Sequence, residues 1–381
     1  MAKETSVDAQ GPLSDEGLVQ LLTHTGERVE HDTYSAYAAD LTADDLRAFW
    51  RDMTLVRAFD DEATSLQRQG ELGLWVQSWG QEAAQIGSGH VLRGDDFAFP
   101  SYREHGVAFT RDVDLPSILK IFRGLEHGAW VPSEHNFHLY TLVIGAHTLH
   151  ATGYAMGLDR DGLTGTGDPD RDSAVICYFG DGATSQGDVA EALTFASVNN
   201  APVVFFCQNN QFAISESTTR QSKVALADRG KGVGIPSVRV DGNDVIASYA
   251  VTQWAMQHAR SGQGPVFVEA FTYRMGAHTT SDDPTRYRSK ADEEYWAERD
   301  PISRLRTHLE AIGELSEEYQ AEVAAAAKAL AARTREAVRS WVRPPVLDMF
   351  DHVYAEPHAT VEAERAWFER YDNSFTEAGA H

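Results

Sequence analysis

Apolar positions recur along this chain with two different periods. From Thr42 the segment TADDLRAFWRDMTLVRAFDDEATSLQRQG places Leu46, Phe49, Met53, Val56, Phe59, Ala63 and Leu66 at spacings of three and four, the signature of one buried helical face. Thr42 and Asp45 form a capping-box-like start for that helix. Farther on, short β-branched or aromatic runs (AVICYF, APVVFFCQ, SVRV and PVFVEAFTY) alternate with helical stretches. GDVAEALTFASVNN puts Val189, Ala192, Leu193 and Ala196 on one face, and NDVIASYAVTQWAMQHARSG offers Val245, Tyr249, Thr252 and Met256. Strands interleaved with helices predict an α/β fold, a mostly parallel sheet covered on both faces by crossover helices.

The flanks differ from this middle. Residues 1–40 are polar, rich in Asp, Thr and Gly, and lack sustained periodicity, so they are expected to form an extended or partly ordered N-terminal arm. The main domain is expected over residues 41–310. Beyond it, residues 311–381 contain the Ala-rich SEEYQAEVAAAAKALAARTREAVRSWV, a strongly helical region suited to packing on another surface rather than to chemistry.

Composition narrows the partners. With 57 Asp and Glu against 33 Lys and Arg, the 381-residue chain carries a formal charge of -24, which repels nucleic acid and anionic membrane surfaces. Its longest apolar runs are of strand size, so no membrane span is expected. Cys177 and Cys207, the only cysteines, each lie within an apolar run and are expected to be buried free thiols in a reducing compartment. The start, MAKETSVDAQGPLSDEGL, has no basic-then-apolar signal pattern. A cytoplasmic location is expected.

The chemistry concentrates in CYFGDGATSQGDVAEALTFASVNNAPVVFFCQNNQFAIS, residues 177–215. In an open parallel sheet, ligands bind beyond the carboxyl ends of the strands, and both ends of this stretch fall there. Gly180 and Gly182 permit a tight turn, Asp181 supplies one hard oxygen ligand, and the helix starting near Gly187 can turn free amides toward an anion. Asn209 and Asn210, ending the next strand, supply neutral carbonyl oxygens. One carboxylate with amide oxygens is too little charge for a dedicated calcium cage and suits magnesium that keeps positions open for phosphate oxygens. GDG alone, or NN alone, is an ordinary turn signal; the order strand, turn, helix, strand is what joins them.

GDG followed by NN resembles the thiamin diphosphate signature. Together with QRQGELGLWVQSWGQEAAQIGSG, FPSYREHG, VDGNDV and TYRMGAHTTSDDPTRYRS, it resembles the alpha subunits of the heterotetrameric 2-oxo acid dehydrogenases, over about residues 40–310. The resemblance implies a three-layer αβα thiamin diphosphate-binding fold. It implies magnesium bound by Asp181, Asn210 and the carbonyl of Phe212, and diphosphate gripped by Tyr102 and Arg103. Gly180, Gly182, Ala183, Ala213 and Ile214 would border the cofactor, Leu142 and Ile144 would press against it, and His278 would act on a mobile loop braced by Arg274. Ala146 and His147 depart from branched-chain relatives at a monovalent-ion site. His105 is of the pyruvate type, or could equally stand behind the site, whereas HTTSDDPTRYRS is closer to branched-chain members. Thr279 and Ser289 lie near positions phosphorylated in animal relatives. The resemblance implies that this chain supplies only the diphosphate-binding half, with a separate beta subunit in a two-alpha, two-beta heterotetramer docked to a lipoyl-bearing acyltransferase core. The implied activity is decarboxylation of a 2-oxo acid, branched-chain favoured over pyruvate, with acyl transfer to a lipoyl arm. A non-catalytic diphosphate-binding scaffold is the alternative from another class.

Overall fold

The computed structural model describes residues 17–377, which divide at Val338 into two compact units. The first is built on strands β1 (Phe97–Phe99), β2 (Val175–Gly180), β3 (Val203–Asn209), the short hairpin arms β4 (Phe212–Ala213) and β5 (Glu216–Ser217), β6 (Ser237–Asp241) and β7 (Val266–Phe271). β4 and β5 pair only with each other; the remaining five form one sheet in the order β1-β2-β3-β7-β6, parallel throughout. Four of these five match the apolar runs. β1 has only three residues, too few to carry a period, and exists by pairing with β2 from Phe97 opposite Val175.

Helices cover both faces, as parallel strands buried on two sides require. The long helix α1 (Ala43–Arg68) begins with a complete capping box: the Thr42 hydroxyl accepts from the Asp45 amide at 3.2 Å, and the Asp45 carboxylate accepts from the Thr42 amide at 2.8 Å. All seven apolar positions of its predicted face are buried. Further along are α2 (Glu82–Gly89), α3 (Ala146–Arg160), α4 (Gly187–Val198) and α5 (Val245–Arg260). α4 buries Val189, Ala192, Leu193 and Ala196, which join Ala151 and Ala155 of α3 against Val175, Cys177, Phe179, Val203, Phe205 and Cys207 of the sheet.

On the opposite face α5 lies between the sheet and α2, so it is buried nearly all round rather than on one stripe. Its predicted face holds at Val245, Thr252 and Met256, while Tyr249 is half-buried. Gly87 makes the α2–α5 crossing possible, because a Cβ there would stand 2.6 Å from the Val245 carbonyl. Both cysteines are buried free thiols whose pKa burial pushes up.

Within the polar N-terminal stretch, the part from residue 17 is stitched to the sheet edge; the rest of that arm lies outside the described residues. The amides of Leu21 and Leu22 donate to Asp244 Oδ2 at 2.7 and 2.6 Å, and Val19 bridges Val240 of β6. The helix Glu317–Ser340 forms where the Ala-rich segment predicts one and buries only Val323, Thr334 and Val338. The second unit consists chiefly of a 3-10 turn, Val346–Phe350, and the helix Ala359–Glu377. No helix among the described residues is long and apolar enough to cross a membrane.

Candidate active site

The loops leaving β1, β2, β3 and β7 converge beyond their carboxyl ends and enclose a cleft of about 390 Å3. Most of the residues that the sequence points to line it: Tyr102 and Arg103 after β1, Gly180 to Ala183 after β2, Asn210 and Phe212 to Ile214 after β3, Arg274 and His278 after β7, with Leu142 and Ile144 on a separate loop. Asn209 does not, being buried with its side chain bonded to Glu269 and Thr218. Gln81, Ser101, Glu104, Gln186 and Gln208 also line the cleft; they fall inside the quoted stretches, but the sequence assigns them no role there. Gly187 and the first turn of α4 do not line the cleft, because a 3-10 turn, Asp181–Ser185, intervenes. Only the N-cap residue of α4, Gln186, reaches the lining of the cleft.

Asp181 is 1% exposed and has no ion-pair partner among the described residues. Its Oδ2 accepts from Thr218 Oγ1 at 3.1 Å and from Gln221 Nε2 at 3.0 Å. Burial pushes its pKa up to about 6, with those hydrogen bonds opposing the rise. Gly182 lets the β4–β5 hairpin lie against this turn, since a Cβ there would meet that of Ala213 at 2.8 Å. Asn210 Oδ1 accepts from the Phe212 amide at 3.3 Å, and the Phe212 carbonyl accepts from Arg274 Nη1 at 3.0 Å. No three His, Cys, Asp or Glu side chains gather as a metal centre among the described residues. Asp181, Asn210 and the Phe212 carbonyl could hold a hard divalent ion that takes its other ligands from a phosphate, and such an ion would offset the desolvation of Asp181.

Two arginines converge on His278. Arg103, 5% exposed, donates through Nη2 to the His278 carbonyl at 2.8 Å, and through Nη1 to the Gln77 carbonyl. Its Nη2 and Arg274 Nη1 each lie 3.3 Å from His278 Nδ1. A guanidinium only donates, so Nδ1 is the acceptor and the ring proton resides on Nε2. Burial first, then the fields of Arg103 and Arg274, push the His278 pKa down to about 3, against the opposing pull of Asp282. The imidazole is thus neutral near pH 7 and offers one N–H. Arg274 also donates to the Ile214 carbonyl at 2.6 Å and to Tyr287 Oη at 2.9 Å. It ties the His278 loop to the β4–β5 hairpin rather than bracing the loop alone.

Other candidates sit behind the cleft or on its edge. His105 is fully buried, bonded to Tyr140 Oη and the Val76 carbonyl at 2.8 Å each and stacked on Trp75 at 4.5 Å; it does not line the cleft. His147 does, with Nε2 2.7 Å from the Tyr178 carbonyl, and burial pushes its pKa down to about 4. Ser289 caps the helix Lys290–Ala297 by accepting from the Asp292 amide at 3.1 Å, and Thr279 accepts from the Ser281 amide at 3.2 Å.

Residues 50–346 match the family described as dehydrogenase E1 component. The chain belongs to that family. It is 43% identical over 330 residues to the 3-methyl-2-oxobutanoate dehydrogenase subunit alpha of Mycobacterium tuberculosis, covering 86% of this chain and 88% of that one. To the pyruvate dehydrogenase E1 component subunit alpha it is 38% identical over 311 residues in Bacillus subtilis, 81% of each chain, and 36% over 342 residues in Staphylococcus epidermidis, 89% of each. Members of the E1 family are thiamin diphosphate-dependent enzymes, and an alpha subunit of an E1 component works with a beta subunit in a multienzyme complex. The expected family and α/β class are both met.

Proposed function

We propose that this E1 chain is the alpha subunit of a branched-chain 2-oxo acid dehydrogenase, with 3-methyl-2-oxobutanoate and its homologues as substrates. The observation that carries the reading is the convergence on one cleft of Asp181, Asn210 and the Phe212 carbonyl with Arg103 and His278. The 43% identity to a 3-methyl-2-oxobutanoate dehydrogenase subunit supports the substrate class. The cleft residues fit a magnesium diphosphate, since the buried Asp181 carboxylate, the neutral oxygens of Asn210 and Phe212, and the guanidinium of Arg103 all line it.

When bound, thiamin diphosphate supplies the electron sink for decarboxylation. The chain's own residues would bind and orient it. Asp181, Asn210 and the Phe212 carbonyl would hold the ion, and Tyr102 and Arg103 would position the diphosphate. Leu142 and Ile144 would press an apolar surface against the rings, and His278 would offer its Nε2–H to the reacting group. Exposed Leu142, Val143, Ile144 and Ile214 form an apolar rim, suited to a beta subunit that closes the cleft from the other side. The proposed assembly is two alpha and two beta chains, delivering the acyl group to a lipoyl domain in the cytoplasm.

Co-expression with the neighbouring beta chain, followed by specificity constants for 3-methyl-2-oxobutanoate, its one-carbon-longer homologue and pyruvate with a dye acceptor, tests this. A missing methylene costs only about 1 to 3 kcal/mol in an apolar pocket, so pyruvate should react more slowly rather than not at all. Preference for pyruvate by about tenfold or more, ~1.4 kcal/mol, would make this a pyruvate dehydrogenase subunit, as the relatives at 36% and 38% identity are named. No turnover of any 2-oxo acid by the assembled, cofactor-loaded complex would leave the scaffold alternative.

A further inference from the structure

Side-chain amides can be oriented either way round until something fixes them, and here a backbone group does. The Phe212 amide can only donate, so the Asn210 atom 3.3 Å from it must be the oxygen. Asn210 Nδ2 then points away and donates to Gln81 at 3.2 Å, which makes the Gln81 atom facing it the acceptor Oε1. By elimination Gln81 Nε2 is the end left over. It is buried, and it has no hydrogen-bond partner.

Gln81 itself is 1% exposed and lines the cleft beside Asn210. Its backbone has little freedom to move the side chain elsewhere. The Gln81 amide donates to the Ser78 carbonyl at 2.9 Å, and its carbonyl accepts from the Gln85 amide at 3.2 Å. The preceding Gly80 adopts φ +94 and lies so close to the exit of β7 that a Cβ would come 2.3 Å from the Tyr273 carbonyl. Thr272 Oγ1 also grips the Gly80 carbonyl at 2.8 Å. A rigid turn thus holds Gln81, with its buried unpartnered donor, in the lining of the cleft that Asp181, Asn210 and Phe212 also line. Buried donors without partners are rare and costly in native structures. One placed in a cleft is satisfied when an acceptor arrives.

We propose that Gln81 belongs to the cofactor site: its side-chain oxygen helps hold Asn210 in the orientation that the Phe212 amide selects, and its free NH2 donates to an anionic oxygen of the bound diphosphate. The inference rests on the magnesium diphosphate reading above. Gln81 is a positioning residue toward Asn210 and a direct contact toward the ligand, and the two roles separate chemically. Gln81→Glu keeps an acceptor for Asn210 but removes the donor; Gln81→Met keeps the length and removes both.

The test uses each variant assembled with its beta subunit. Calorimetric titration with thiamin diphosphate at saturating and limiting magnesium gives the affinity, and the melting temperature of the cofactor-free assembly reports folding. Both variants should lose about tenfold or more in affinity at saturating magnesium, with the cofactor-free melting temperature held near the wild type's. Gln81→Met should also need more magnesium for half-saturation, whereas Gln81→Glu should need no more than the wild type. Wild-type affinity in Gln81→Glu overturns the donor role, and an unchanged magnesium requirement in Gln81→Met overturns the positioning role. Should Gln81→Met fail to assemble, Gln81→Glu alone decides the contact. Asp181→Ala separates the layers of inference: retained affinity there overturns the site reading, while lost affinity there with wild-type affinity in both Gln81 variants overturns this inference alone.

Discussion

The floor and the rim of the cleft are built on opposite terms. On the floor, Asp181, Arg103, Asn210 and Arg274 are all buried and bonded to neighbouring groups. On the rim, Leu142 is 61% and Val143 69% exposed, with Ile144 and Ile214 also open to solvent. A buried charge must find its partners within its own chain, since leaving one unpaired is costly, whereas exposed apolar area is normally covered by something else. The floor is therefore a property of this chain, and the rim a property of the assembly. Substitutions on the floor should abolish ligand binding without disturbing assembly; on the rim, where Leu142 and Ile144 would also meet the cofactor, the reverse is expected of Val143, which does not line the cleft.

The largest effect expected is on the floor. Asp181→Ala or Asn210→Ala removes one of the few hard oxygens available to the ion, so magnesium-dependent binding of thiamin diphosphate should fall by about a hundredfold or more, with the assembled tetramer still folded. Calorimetry on the tetramer checks it, and unchanged affinity in both variants would withdraw the metal site. His278→Ala comes next. Its Nε2–H is the proton this imidazole offers to the reacting group, so turnover should drop by roughly a hundred- to ten-thousandfold while cofactor affinity stays near the wild type's. Measuring decarboxylation with a dye and acyl transfer to a lipoyl domain separately would locate the step. Wild-type rates in both would return His278 to a solvated loop residue.

On the rim, Val143→Asp should weaken association with the beta subunit by roughly ten- to a hundredfold, the equivalent of losing about 1.5 to 3 kcal/mol of apolar burial. The isolated alpha chain should be no less stable for it. Sedimentation of the mixed subunits gives the association constant, and a tetramer as tight as the wild type's would show that the beta chain covers some other face.

The same contrast explains what could be read from the sequence. The floor was legible because its groups lie at strand ends, where a period of two or of three and four stops and chemistry-bearing residues begin: GDG after β2, NN after β3, and Arg274 after β7. Helix α1 was legible to its capping box, because local hydrogen bonds and one buried stripe determine it. What escaped was set by tertiary contact. β1 exists through its pairing with β2 and a bridge from Ala98 to Phe137, α5 is buried on sides that no single stripe announces, and the polar segment around Leu21 is ordered by Asp244, more than two hundred residues away. Gln81 and Glu104 escaped for a different reason. Their role in the cleft comes from which atom of an amide or carboxylate faces which donor, and residue type alone does not carry that. Gln208, for instance, accepts from Gln85 Nε2 at 3.0 Å and donates to Glu104 at 2.7 Å, an orientation fixed by the Gly106 amide donating to Gln85 Oε1 at 2.8 Å.

The smallest expected effect concerns what lies beneath the floor. Asp60 of α1 is 1% exposed and accepts from Trp75 Nε1 at 2.6 Å and from the Ser78 amide at 2.9 Å. It thereby anchors the segment whose Gln77 carbonyl takes Arg103. Burial pushes its pKa up to about 7, with the Trp75 and Ser78 bonds opposing the rise. Because the folded value lies above the unfolded one of about 4, its contribution to stability is fully present below the unfolded pKa and is lost as the pH rises through 7. Between pH 6 and pH 8 that amounts to roughly 1 kcal/mol, on the order of 2 °C in melting temperature for a chain of this size. Asp60→Asn cannot titrate, so its melting temperature should fall less than the wild type's over the same interval, whatever its absolute stability. Parallel slopes in the two proteins would mean that Asp60 is ionised throughout, its charge stabilised by the two donors strongly enough to outweigh burial.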